Sequence, residues 1–172
     1  MAALVLGHGA GGGVESADLA GAASAASAAG LTVALVEQPY RVAGRRSPAP
    51  AAQLDTDWIS VVRQLDFDVP LIAGGRSSGA RVACRTSAEL GAAAVLCLAF
   101  PLHPPGRPEK SRLDELESVA VPVLVVQGER DPFGMPPEGP GRTVVRVPGT
   151  HSLRNGGAVE EAVAAFLRSS FD

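Results

Sequence analysis

Short apolar runs alternate with longer segments of helical length along the chain, the pattern that a parallel sheet covered on both faces imposes on a sequence. Six runs read as strands: Ala3 to Gly7, Leu31 to Val36, Val69 to Gly74, Ala93 to Ala99, Val121 to Gln127 and Thr143 to Val147. Each is a nearly unbroken series of Val, Leu, Ile and Ala, as strands buried on both faces require. Between them, Ser16 to Ala29 predicts an Ala-rich helix closed by Gly30, a residue suited to the left-handed position just past a helix end. Asp55 to Leu65 predicts a second helix, Ser78 to Leu90 a third closed by Gly91, and a further one starts near Ser111. In the last helix, Gly157 to Phe171, residues Val159, Ala162, Val163, Phe166 and Leu167 form an apolar stripe that should lie on the sheet. Pro- and Gly-rich stretches at Ser47 to Ala52, Pro101 to Pro108 and Pro132 to Gly141 predict loops. The expected architecture is a three-layer α/β/α sandwich on a mostly parallel six-stranded sheet, one domain over residues 1–172.

Composition narrows this picture. A chain of 172 residues buries about 70% of its unfolded surface in one core and leaves no room for a second domain. Aromatic residues make up only 4%, so that core is built from Ala, Val and Leu. A net charge of −3 supplies no broad attraction for phosphate backbones, which argues against nucleic acid as a partner. Cys84 and Cys97 lack both a Cys-x-x-Cys spacing and neighbouring His ligands, so they read as buried free thiols rather than a metal site. The first residues have no basic region and too short an apolar run for a signal peptide or membrane span. A cytoplasmic protein without a membrane partner is expected; nothing in the sequence bears on its oligomeric state.

The candidate chemistry gathers at the ends of the predicted strands. Gly75-Arg76-Ser77-Ser78-Gly79 follows one strand and opens a helix, the context in which a G-x-S-x-G turn exposes its serine. The flanking glycines leave no Cβ where such a turn packs, and the Ser78 N–H would face an oxyanion at the helix start. Asp131 lies just past the fifth strand and His151 between the last strand and the last helix, so all three sit at one sheet edge. A base there must reach a serine hydroxyl on one side and be oriented by a carboxylate on the other. Glu129 is the alternative acid. The loop Gly7-His8-Gly9-Ala10-Gly11-Gly12-Gly13 lets the backbone approach a bound carbonyl, with the Ala10 N–H as second oxyanion donor. The same glycines spell a dinucleotide fingerprint with Glu37 as ribose acid, but that reading gives Ser77 and His151 no work. His8, Arg76, His103 and Arg41 are candidates to line a substrate pocket, with a structural loop role open for His103 and a solvated one for Arg41. No metal site and no cofactor are expected.

These motifs resemble the α/β-hydrolase superfamily. The resemblance is carried by His8-Gly-Ala-Gly-Gly, Gly74-Gly-Arg-Ser-Ser-Gly-Ala-Arg81, Phe100-Pro-Leu-His103 and Pro122-Val-Leu-Val-Val-Gln-Gly-Glu-Arg-Asp131, with His151-Ser152 following. Within the superfamily it points to a small cap-less, dienelactone-hydrolase-related group that includes a chromatin-complex subunit and a testis-expressed protein. It implies Ser77 as nucleophile, Asp131 as acid and His151 as base, acting on a small acyl substrate, and a sheet lacking the superfamily's first two strands. The relatives also leave open a non-catalytic binding or scaffold module. Asp131 to His151 spans only 20 residues, short for a crossover helix plus a strand, so Pro132 to Arg142 should be an irregular connection. About ten Pro-rich residues after the fourth strand leave no space for a lid.

Overall fold

The computed structural model describes residues 1–171 and contains one six-stranded sheet in the order β2-β1-β3-β4-β5-β6. The strands are β1 (Ala3–Gly7), β2 (Thr32–Val36), β3 (Leu71–Arg76), β4 (Ala94–Leu98), β5 (Val123–Gly128) and β6 (Arg142–Val147). Every neighbouring pair is parallel, so the sheet expected to be mostly parallel is parallel throughout. The helices are α1 (Ala17–Ala28), α2 (Pro39–Val42), α3 (Ala51–Gln64), α4 (Ser78–Thr86), α5 (Leu113–Glu117) and α6 (Gly156–Phe171).

The sequence expectations are corrected at three helices. The second predicted helix begins at Ala51 rather than Asp55, because Pro50 stands just outside it with φ −54°, where a missing N–H breaks no bond. The short α2 was not anticipated; Pro39 occupies its first turn, a position proline tolerates. α4 ends at Thr86, short of Leu90, and the chain then turns around Gly91 at φ +62°.

Alternation along the strands explains why their sequences read as continuous apolar runs. Leu4, Leu6, Ile72, Leu96, Leu98, Leu124 and Val126 face α1 and α6. Their sequence neighbours Val5, Ala73, Val95, Cys97, Val123 and Val125 face α3, α4 and α5. Both thiols are buried, with Cys84 Sγ 3.5 Å from Cys97 Sγ.

Where α1 crosses the start of α6, the backbones meet without side chains between them. A Cβ on Gly21 would collide with the Gly156 carbonyl, and one on Gly156 would lie 2.7 Å from the Ala17 carbonyl oxygen. Gly21→Ala is therefore expected to lower stability by about 1–3 kcal/mol. A urea titration should show this as a lower midpoint at unchanged slope.

Charges tie together the helices on the opposite face. Arg81 donates through Nε and Nη2 to the two Glu115 carboxylate oxygens at 2.9 and 2.6 Å, and Arg85 grips Asp55 at 2.8 and 2.7 Å. Arg85 Nη1 also reaches Glu115, at 3.2 Å. Burial raises the Glu115 pKa, but the hydrogen bond and charge of Arg81, with those of Arg85, outweigh it and hold the group below its ordinary value of 4.5. A carboxylate with a depressed folded-state pKa contributes stability above its unfolded value and loses it as pH falls through the folded one. Glu115→Gln should thus lower the melting temperature at neutral pH, and its deficit should shrink as pH drops below the usual glutamate range. A deficit independent of pH would contradict the ion-pair account.

Residues 99–112, between β4 and α5, contain no helix or strand, so no cap covers the carboxyl edge of the sheet there. Residues 129–141, between β5 and β6, are likewise irregular, as expected. Among the described residues, no helix is long and apolar enough to cross a membrane.

Candidate active site

Three of the predicted residues come together at the carboxyl edge of the sheet. Ser77 follows β3 at φ 52°, ψ −112°, a conformation strongly disfavoured for a residue with a side chain. The surroundings hold it there: its N–H donates to the Leu98 carbonyl at 2.9 Å, and its own carbonyl accepts from Arg81 N–H at 3.2 Å. Neither flanking glycine could carry a Cβ, which would sit 2.6 Å from the Gly7 carbonyl oxygen at Gly75 and 2.5 Å from it at Gly79.

His151 lies between Ser77 and Asp131, with Nε2 2.9 Å from Ser77 Oγ and Nδ1 2.9 Å from Asp131 Oδ2. Its side chain is 18% exposed, while that of Asp131 is fully buried. The carboxylate is well supplied with donors: Phe133 N–H reaches Oδ1 at 2.8 Å and Gln127 Nε2 reaches Oδ2 at 2.9 Å. Gln127 Nε2 also lies 3.0 Å from the Phe100 carbonyl and 2.9 Å from that of Gly134, so one buried amide joins the segment after β4 to the irregular loop. The Phe133 ring stacks on the imidazole with centroids 4.2 Å apart. The short connection between Asp131 and His151 therefore closes the gap between them. Glu129, the alternative acid, is exposed.

The glycine-rich loop after β1 supplies the other wall. His8 Nε2 accepts the Gln38 N–H at 2.9 Å, which leaves the ring proton on Nδ1 to donate to the Gly9 carbonyl at 2.7 Å. The Gly9 carbonyl and the Ala10 N–H lie on opposite sides of one trans peptide. Drawing the carbonyl toward His8 thus turns the Ala10 N–H away from it. The Tyr40 hydroxyl donates to the Ala10 carbonyl at 3.3 Å, and burial raises its pKa against the opposing charge of Arg41, keeping the proton in place. Among the described residues, neither the Ala10 nor the Ser78 N–H has a hydrogen-bond partner.

An open cleft of about 580 Å³ runs over Ser77 and His151. Ala10, Gly11 and Gly12 of the glycine-rich loop line it, together with Arg76, Phe133, Ser152 and Arg154. Of the four predicted pocket residues, only Arg76 lines it. His8 is buried beneath the loop and holds it in place. His103 sits behind the Phe133 segment, its Nδ1 donating to the Pro104 carbonyl at 2.9 Å and its main-chain N–H to the Phe133 carbonyl at 3.0 Å. Arg41 belongs to α2 and is not part of the cleft wall. Sequence reasoning missed Gln127, Phe133 and Asp18; the one visible signal was Gln127, a polar residue inside an otherwise apolar strand. Among the described residues, no three His, Cys, Asp or Glu side chains form a metal-binding group.

A parallel sheet whose carboxyl edge presents a strained serine, a histidine and a buried aspartate defines an α/β-hydrolase arrangement. Residues 1–153 match the sequence model of an alpha/beta hydrolase domain, and the chain belongs to that family of hydrolases. No match was found among curated protein sequences. Among solved structures, it is similar to a hydrolase of the α/β superfamily from Xanthomonas campestris pv. campestris, at 19% identity and a TM-score of 0.74 over 96% of this chain and 98% of that one. It also resembles Est1E from Butyrivibrio proteoclasticus, at 18% identity and a TM-score of 0.74 over 97% of this chain and 87% of that one. A third similar structure is an α/β serine hydrolase without a lid from Xanthomonas campestris, at 23% identity and a TM-score of 0.70 over 98% of this chain and 81% of that one. At these identities the likeness is one of fold.

Proposed function

We propose that the chain is a serine hydrolase that cleaves a small ester, thioester or related acyl substrate through Ser77, His151 and Asp131. The observation that carries this reading is the continuous contact from Ser77 Oγ through the imidazole to Asp131, each step 2.9 Å. His151 Nε2 takes the Ser77 proton as Oγ attacks the acyl carbon, while Nδ1–H donates to Asp131 Oδ2. The Ala10 and Ser78 N–H groups stabilise the tetrahedral oxyanion. Collapse expels the leaving group, protonated by His151, and the same imidazole activates the water that releases the acyl group. His8 serves this scheme by orienting the Gly9–Ala10 peptide.

The open cleft suits a compact acyl group whose leaving portion extends into solvent. The same reading assigns the chain to the cap-less, dienelactone-hydrolase-related group; the lack of a lid on its serine hydrolase neighbour supports this. p-Nitrophenyl acetate provides the test. Wild type should release a burst of nitrophenolate equal to the enzyme present, followed by slower turnover as acyl-enzyme hydrolyses. His151→Ala should lose the burst and at least about 10⁴-fold in kcat. Unchanged turnover in that variant would reject the mechanism, and a folded wild type with neither burst nor turnover would leave the scaffold reading.

A further inference from the structure

We propose that Arg76 is a positioning residue which, paired with Asp18, holds the main chain of His151 at its working distance from Ser77. The proposal rests on the reading of Ser77 as nucleophile and His151 as base. Arg76 is the last residue of β3, paired with Leu98 of β4, and directly precedes Ser77, so its side chain starts from within the sheet. Its Nη2 donates to the His151 carbonyl at 2.9 Å. Among the described residues, no other hydrogen bond reaches that carbonyl.

The rest of the guanidinium is committed elsewhere. Nε lies 2.8 Å from Oδ2 of Asp18, a fully buried carboxylate in the first turn of α1. That approach lies off the hydrogen-bond direction, so it is an electrostatic contact. The other Asp18 oxygen accepts the Leu19 N–H at 2.9 Å. Nη1 lies over Gly9, 3.0 Å from where a Cβ would stand, so a side chain at that position would displace it. One guanidinium thereby touches the glycine-rich loop, the start of α1 and the loop carrying the histidine.

This arrangement bears on geometry more than on stability. A buried ion pair returns little net stability once desolvation is counted, although removing one partner alone is costly. The His151 loop, by contrast, needs restraint: Gly149 adopts φ +137°, and Leu153 stands at φ 40°. Asp131 fixes the ring of His151, and Arg76 fixes its carbonyl. With both ends held, the imidazole cannot swing from Ser77 without breaking a contact. Lysine could keep the charge opposite Asp18 but could not span Asp18 and the carbonyl together.

The test compares wild type with Arg76→Met, Arg76→Lys and the double variant Asp18→Asn/Arg76→Met, which removes both buried charges. Fluorophosphonate labelling rates are measured alongside kcat and KM for neutral p-nitrophenyl acetate and anionic p-nitrophenyl hemisuccinate. A misplacement of about 1 Å costs on the order of 10²-fold in rate. Arg76→Met should lose about that much in labelling and in kcat for both esters, with KM within about twofold of wild type; Arg76→Lys should fall between them. The double variant should melt near wild type yet remain as slow as Arg76→Met, which separates positioning from folding. Wild-type labelling by the folded double variant would overturn the proposal, as would a loss confined to KM for the anionic ester, which would make Arg76 a substrate contact. No labelling of folded wild type would instead reject the active-site reading beneath it.

Discussion

Ser77→Ala is expected to lower ester turnover by about 10⁴-fold or more while leaving the protein folded. In a serine hydrolase the nucleophile and base act as one unit, and removing either costs nearly as much as removing the whole set. What survives is the help given by the oxyanion donors and binding, about 10³ to 10⁴ over water. Stability should separate this role from a structural one. The backbone at φ 52°, ψ −112° is strained for any residue with a Cβ, so Ser77→Ala keeps the strain and should melt close to wild type. Ser77→Gly relieves it and should be more stable than Ser77→Ala by about 1 kcal/mol, while equally inactive. An inactive variant that has also lost its fold would say nothing for catalysis, which makes the paired melting curves part of the measurement.

Asp131→Asn should cost about 10⁴-fold in kcat, although it changes one atom. The reason lies in the donors around that carboxylate. Phe133 N–H binds Oδ1 at 2.8 Å, so an asparagine would keep its oxygen there and turn its amide nitrogen toward His151 and Gln127 Nε2. His151 Nδ1 would then face a donor and shed its proton, moving it to Nε2. An Nε2–H imidazole donates to Ser77 Oγ instead of accepting from it, and the base is lost through its tautomer. Asp131→Asn should therefore bind substrate at near-normal KM and fail in kcat. A loss in KM with kcat preserved would contradict this role for Asp131.

Much of the fold was legible because parallel strands buried on both faces cannot alternate: Ala3 to Gly7 and Ala94 to Leu98 are fully buried along their length. The prolines misled in the opposite sense. Pro50 read as a loop residue and the helix at Pro39 was not anticipated, yet each proline stands where a helix begins and tolerates a missing N–H. The residues proposed to react could be picked out because turn chemistry marks them: a serine between glycines after a strand, and an aspartate and a histidine just past strand ends. Their supports could not. Asp18 looks like an ordinary acid in a first helical turn, and only the crossing of α1 over β3 and α6 brings it to Arg76. His8, Arg41 and His103 were candidates because they follow strands, but being near the correct edge does not decide whether a side chain faces the cleft or the packing behind it. His8 turned inward because the Gln38 N–H and the Gly9 carbonyl needed partners.

The most direct measurement is intact-mass analysis of folded wild type after a fluorophosphonate, with the modified residue located by peptide sequencing. The account predicts one adduct per chain, on Ser77, absent from Ser77→Ala and slowed at least about 10³-fold in His151→Ala. No adduct, or an adduct on another residue that persists in Ser77→Ala, would contradict it.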